Sequence, residues 1–80
     1  MDMENFRKNL ATAIEALSLK KSAIAVAAQT SRSHLDDVLK GHVDPTLPMC
    51  ERLAKAVGFT LIALLDDADK FSAALLTGVR

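Results

Sequence analysis

The stretch AIAVAAQTSRSHLDDVLKG, Ala23 to Gly41, decides how this chain is read. An alanine-rich apolar run stops at Gln29 and Thr30, and a polar segment begins at Ser31. Serine is a good N-cap, because its hydroxyl can accept from a free backbone N–H of the first turn. The spacing therefore predicts a helix that starts at Ser31 and ends near Lys40, with Leu35, Val38 and Leu39 turned inward. Gly41 can take the left-handed conformation that terminates it. A preceding helix is expected to start near Lys20–Ser22 and run to Ala28. Its apolar face is Ile24, Ala25 and Ala28, and Ala25 falls where only a small side chain lets two helices cross closely.

About three residues separate these two helices. A turn that short sets them at a steep angle, as in a helix-turn-helix. With Leu35 and Val38 pinned to the core, Arg32, Ser33, Asp36, Asp37 and Lys40 are left around the outward side. His34 lies at its edge.

The rest of the chain is helical too. Phe6, Leu10, Ala13, Ile14 and Leu17 form one apolar stripe over about Glu4 to Leu17, with Arg7, Lys8 and Glu15 on the other side. Thr46 is a natural cap for a fourth helix, and Pro48 is tolerated in its first turn. Leu53, Ala54, Ala56 and Val57 fill its apolar side, and Gly58 stops it. Thr60 caps a fifth helix, Leu61 to Leu65. Ala68, Phe71, Ala74, Leu75 and Leu76 continue a helical stripe to near Thr77. Almost nothing alternates as a strand would. The expected fold class is all-α, a compact five-helix bundle over residues 1–65 followed by a C-terminal helical extension over 66–80.

Eighty residues suffice for one domain, and a hydrophobic share of 50% argues against disorder. The aromatic residues are Phe6, Phe59 and Phe71, so the core must be built mainly from Ala, Leu, Ile and Val. The formal net charge is zero, which weighs against nucleic-acid binding, since such domains are usually basic. The distribution is less even. Over residues 18–43, Lys20, Lys21, Arg32 and Lys40 stand against Asp36 and Asp37. The lone cysteine, Cys50, cannot form an internal disulfide and reads as a small buried hydrophobe. No signal core or membrane-spanning run is evident, and the expected location is the cytoplasm.

Catalytic chemistry has little to stand on. Asp36 and Asp37 are adjacent, so on a helix they diverge. His34 and His42 lie far apart along the chain. Neither a CxxC nor an HExxH spacing occurs, and the glycines stand singly rather than in a phosphate-cradling loop. No enzymatic activity, metal or cofactor is expected.

The segment KSAIAVAAQTSRSHLDDVLKG resembles the helix-turn-helix of the phage-repressor and Cro-like (Xre) family. DPTLPMCERLAKAVGFTLIALL is similar to that family's fourth and fifth helices. The likeness covers roughly residues 5–65. It implies a lambda-repressor-like bundle of about five helices whose third helix enters the DNA major groove, usually from a dimer on a two-fold symmetric operator. Carried over residue by residue, it makes Lys21 and Ser22 phosphate contacts at the start of the second helix. Thr30, Ser31, Arg32, Ser33 and His34 open the recognition helix, with Arg32 as the best candidate for a base contact. Asp37 lies further along, and Lys40 and His42 flank the DNA backbone.

Two positions depart from the pattern. Gln29 stands where such families often have glycine, and a left-handed conformation there costs about 1 kcal/mol. Asp36 and Asp37 repel phosphates, unless one accepts from a cytosine amino group or orients Arg32; Asp37 is expected to have that specific role. The resulting expectation is a sequence-specific DNA-binding transcriptional regulator, a repressor whose bound form excludes polymerase. The rivals are the antitoxin of a toxin–antitoxin pair, with a toxin protein as its partner, and a protein-interaction module that keeps the fold without binding DNA. Leu61, Leu64, Leu65, Ala68, Phe71, Leu75 and Leu76 are too apolar for a free helix. They must pack either on the chain's own bundle, with Phe71 and Leu75 folded back over its core, or on a second chain; the interface of a homodimer is expected.

Overall fold

A computed structural model describes residues 3–77 of the chain; the last three residues of the expected extension lie outside that range. Among the described residues there are six helices and no strand: α1 (Glu4–Ala16), α2 (Lys21–Ala27), α3 (Arg32–Lys40), α4 (Leu47–Val57), α5 (Leu61–Leu65) and α6 (Ala68–Thr77). They pack into a globule with principal extents of 31 × 26 × 19 Å. No helix among the described residues is long and apolar enough to cross a membrane.

The starts of α3, α4 and α5 follow one rule. Ser31, Thr46 and Thr60 each hold an extended backbone, and each side-chain oxygen accepts from the backbone N–H three residues on, at His34, Met49 and Ala63. These caps satisfy donors that the helix itself leaves free.

The ends of α1 to α4 follow another. In each, one residue with positive φ turns the chain, and the residue after it donates back to a carbonyl five positions earlier. The bonds run from Leu19 to Ile14, Thr30 to Ala25, His42 to Asp37 and Phe59 to Ala54, each 2.9 Å long. This is the Schellman arrangement. The turning residues are Ser18, Gln29, Gly41 and Gly58. The strained position at Gln29 is thus real, with φ 58°, and Ser18 does the same where no glycine signals it. Gln29→Gly should therefore raise stability by about 0.5–1 kcal/mol, since glycine reaches left-handed φ without a Cβ penalty. A higher denaturant midpoint would show this; a lower one would mean that the exposed Gln29 side chain holds the turn by a contact of its own. At Gly41 the reverse holds. Its φ is 78°, and an added Cβ would sit 3.1 Å from the Arg7 guanidinium carbon.

The core gathers Phe6, Leu10, Ala13 and Ile14 from α1, Ile24 and Ala25 from α2, Leu35 and Val38 from α3, and Cys50, Leu53, Ala54 and Val57 from α4. Burial pushes the Cys50 thiol above its ordinary pKa, as expected of a packed hydrophobe. Ala28, Phe59, Leu64 and Phe71 complete the same cluster. Phe59 and Phe71 meet with ring centroids 5.0 Å apart and planes tilted by 52°.

Two polar side chains that sequence patterning does not single out tie the helices together. Asn9 on α1 is 1% exposed. Its amide donates to the carbonyls of Leu64 and Asp66, at 3.0 and 2.9 Å. It thereby satisfies acceptors that the five-residue α5 leaves open at its end. Arg52 on α4 donates from Nε to the carbonyl of Ala28, at 3.0 Å. A cation there also complements the negative end of α2.

The expected dimer face is corrected at two positions. Leu64 is 0% and Phe71 3% exposed within the single chain, so neither is free to meet a second copy. The physical reason is the break at Asp66 and Asp67. It lets α6 turn back onto α1 and seat Phe71 beside Phe59. The helix over 68–77 shares the core of the preceding five.

Candidate nucleic-acid interface

Leu35 and Val38 fix how α3 sits, since both are fully or nearly fully buried. Helical spacing then determines the opposite side. Ser33 and Lys40 are exposed there, and Asp37 is half-buried between them. Arg32 lies on the flank, its side chain 63% exposed. His34 is half-buried on the other flank.

The structure brings some of the expected contact residues together. Lys21, the first residue of α2, reaches across to α3, where its Nζ lies 3.3 Å from Oδ1 of Asp36. Arg32 Nε lies 4.0 Å from Oδ2 of the same carboxylate. A base-reading candidate and a phosphate-contact candidate from different helices thus share one anion. At the far end of α3, His42 Nδ1 lies 3.5 Å from Oδ1 of Asp37, and Lys40 and His42 stand exposed on either side of Gly41.

Others are occupied elsewhere. Ser31 Oγ is engaged by the His34 N–H at 3.0 Å, so its first role is to start the helix. Thr30 is half-buried and its N–H closes the α2 turn. Ser22 is exposed on α2, one residue after Lys21.

Of the two specific roles open to Asp37, orienting Arg32 falls instead to Asp36, the carboxylate beside it. Residues four apart lie on one face of a helix and residues five apart do not, so the spacing itself carried this signal. Among the described residues, no three His, Cys, Asp or Glu side chains gather as metal ligands would.

This surface is a short, exposed helix face with hydroxyl, guanidinium and ammonium donors at one end and a lysine and a histidine at the other. Its long axis, from Arg32 to Lys40, spans about 12 Å at 1.5 Å per residue, and the major groove of B-DNA is about 12 Å wide. Comparison of the chain with protein-family models, curated proteins and solved structures finds no match.

Proposed function

We propose that this chain is a sequence-specific DNA-binding regulator of the helix-turn-helix type, with α3 as its reading helix and repression as its effect. The observation that supports this best is the outward face of α3, held by Leu35 and Val38, with Lys21 of α2 alongside. Arg32 and Ser33 would meet base edges, and Lys21, Ser22, Lys40 and His42 the flanking phosphates. Such a role belongs in the compartment that holds DNA, the cytoplasm on the reading given above. The resemblance in KSAIAVAAQTSRSHLDDVLKG and DPTLPMCERLAKAVGFTLIALL points the same way.

Binding of a labelled random duplex, followed over a salt series, tests the reading. Affinity should fall as salt rises, by about 0.9 in logarithmic slope for each phosphate neutralised. A folded protein that shows no salt-dependent binding would remove it. A second reading, the interaction module that keeps the fold but no longer binds DNA, is favoured by one feature. Lys21 and Arg32 already have an internal partner in Asp36.

The regulator is further proposed to work as a homodimer, because two linked half-sites bind far more tightly than one. With Leu64 and Phe71 in the core, the large apolar side chains exposed on the last two helices are Ile62, at 81%, and Leu76, at 89%. Leu61, Leu65, Ala68 and Leu75 are half-buried around them in the sequence. Two reading helices would then lie about 34 Å apart, in successive major grooves. Sedimentation at micromolar concentration should give twice the chain mass, and Ile62→Glu with Leu76→Lys should return it to one. A wild-type protein that sediments as a single chain would contradict the pairing.

A further inference from the structure

We infer that Asp36 is an attenuating residue: an internal counter-anion that holds Lys21 and Arg32 in the DNA-free protein and must give them up before α3 engages a duplex. The inference rests on the proposed DNA-binding reading. It starts from the geometry of the α2–α3 seam. The Asp36 side chain is 30% exposed, against 40% for Lys21 and 63% for Arg32. The carboxylate thus sits deeper than the two cations, which can swing outward from it. One oxygen faces each partner, Oδ1 towards Lys21 and Oδ2 towards Arg32.

A phosphate could take the place of this carboxylate. Both are oxyanions that accept from ammonium and guanidinium groups. The pairs are partly solvated and therefore weak, so a well-placed phosphate and a base edge together displace them readily. On a random duplex the phosphate that meets Lys21 is still present, but Arg32 finds no matching base. There Arg32 stays with Asp36 while Lys21 leaves it. On the matched site both cations leave, and the unpaired carboxylate faces the backbone and repels it, so the penalty is at least as large there. This also accounts for a carboxylate in the middle of a helix read as DNA-facing, in a chain with no surplus of positive charge. Asp37 differs on each count: it is more exposed, at 49%, and it faces His42 rather than Lys21 or Arg32.

The test compares wild type, Asp36→Asn and Asp37→Asn on two labelled duplexes, one of random sequence and one carrying the site enriched from a random pool. Each is followed over a salt series, with far-UV circular dichroism to show that the variants are folded. Asp36→Asn should bind the random duplex about three- to tenfold more tightly. Its salt slope should steepen by about 1 as a freed cation reaches phosphate. It should gain at least as much on the enriched site, where the wild type gives up both pairs. Asp37→Asn removes the same charge without freeing either cation and should gain less on the random duplex. Equal gains from both variants would reduce the effect to net charge and overturn the inference. So would an Asp36→Asn protein with the wild-type affinity and slope; in both cases the DNA-binding reading would stand. If folded wild type and both variants bind neither duplex, the DNA-binding reading fails and the inference falls with it.

Discussion

Phe71→Ala should lower the free energy of unfolding by about 3–5 kcal/mol, the usual cost of deleting a buried phenyl ring. The ring is 3% exposed and rests against Phe59 at 5.0 Å. The loss is a large share of what a small domain has, since total stabilities run from about 5 to 15 kcal/mol. Phe71→Leu, which keeps most of the volume, is the milder companion and should cost about 1–1.5 kcal/mol. Phe59→Ala should cost a similar amount to Phe71→Ala, and the double mutant less than the sum, because the two rings contact each other. Denaturant titration reads all four. A Phe71→Ala protein that keeps wild-type stability but loses its dimer would place the ring between chains instead, as the sequence pattern alone suggests.

Arg32→Ala should weaken binding to the enriched site by about 1–3 kcal/mol, roughly 5- to 150-fold, the value of a bidentate arginine–guanine contact. Preference at one position in each half-site should relax. Stability should change by no more than about 0.5 kcal/mol, because the side chain is 63% exposed and its pairing with Asp36 is long, at 4.0 Å. Those readouts separate a reader from a structural residue. Competition binding against a panel of single-base variants measures them, and a mutant with unchanged affinity and unchanged preference would show that Arg32 reads nothing.

Most of the helix boundaries were legible in the sequence because local chemistry sets them. Ser31, Thr46 and Thr60 are hydroxyl residues placed before apolar periodic runs, and each does cap its helix. Gly41 and Gly58 announce the ends of α3 and α4. The inward residues Leu35, Val38, Leu53 and Val57 follow from spacing alone. Ser18 was not legible as a turning residue, because nothing in a serine demands positive φ; the pull of Leu19 towards the Ile14 carbonyl does.

Long-range contacts were less visible. Asn9 sits within the first helix among charged neighbours and looks like a surface residue. Its partners lie 55 and 57 positions away, and no local pattern encodes them. Arg52 is similar, since its partner is the Ala28 carbonyl at the end of α2, 24 positions away. The place of Phe71 was open for the same reason: an apolar stripe states that it must be covered, not by what. At the candidate interface the face of α3 was legible from Leu35 and Val38. The Lys21–Asp36 contact was not, because it depends on how α2 and α3 cross.

The most direct test is selection of bound sequences from a random pool of duplex DNA. If a dimer reads DNA through α3, one motif with two-fold symmetry is enriched, its half-sites centred about one helical turn, roughly 34 Å, apart. Arg32→Ala should lose information at one position in each half. A folded protein that returns the input pool unchanged, round after round, would contradict the claim that α3 reads DNA.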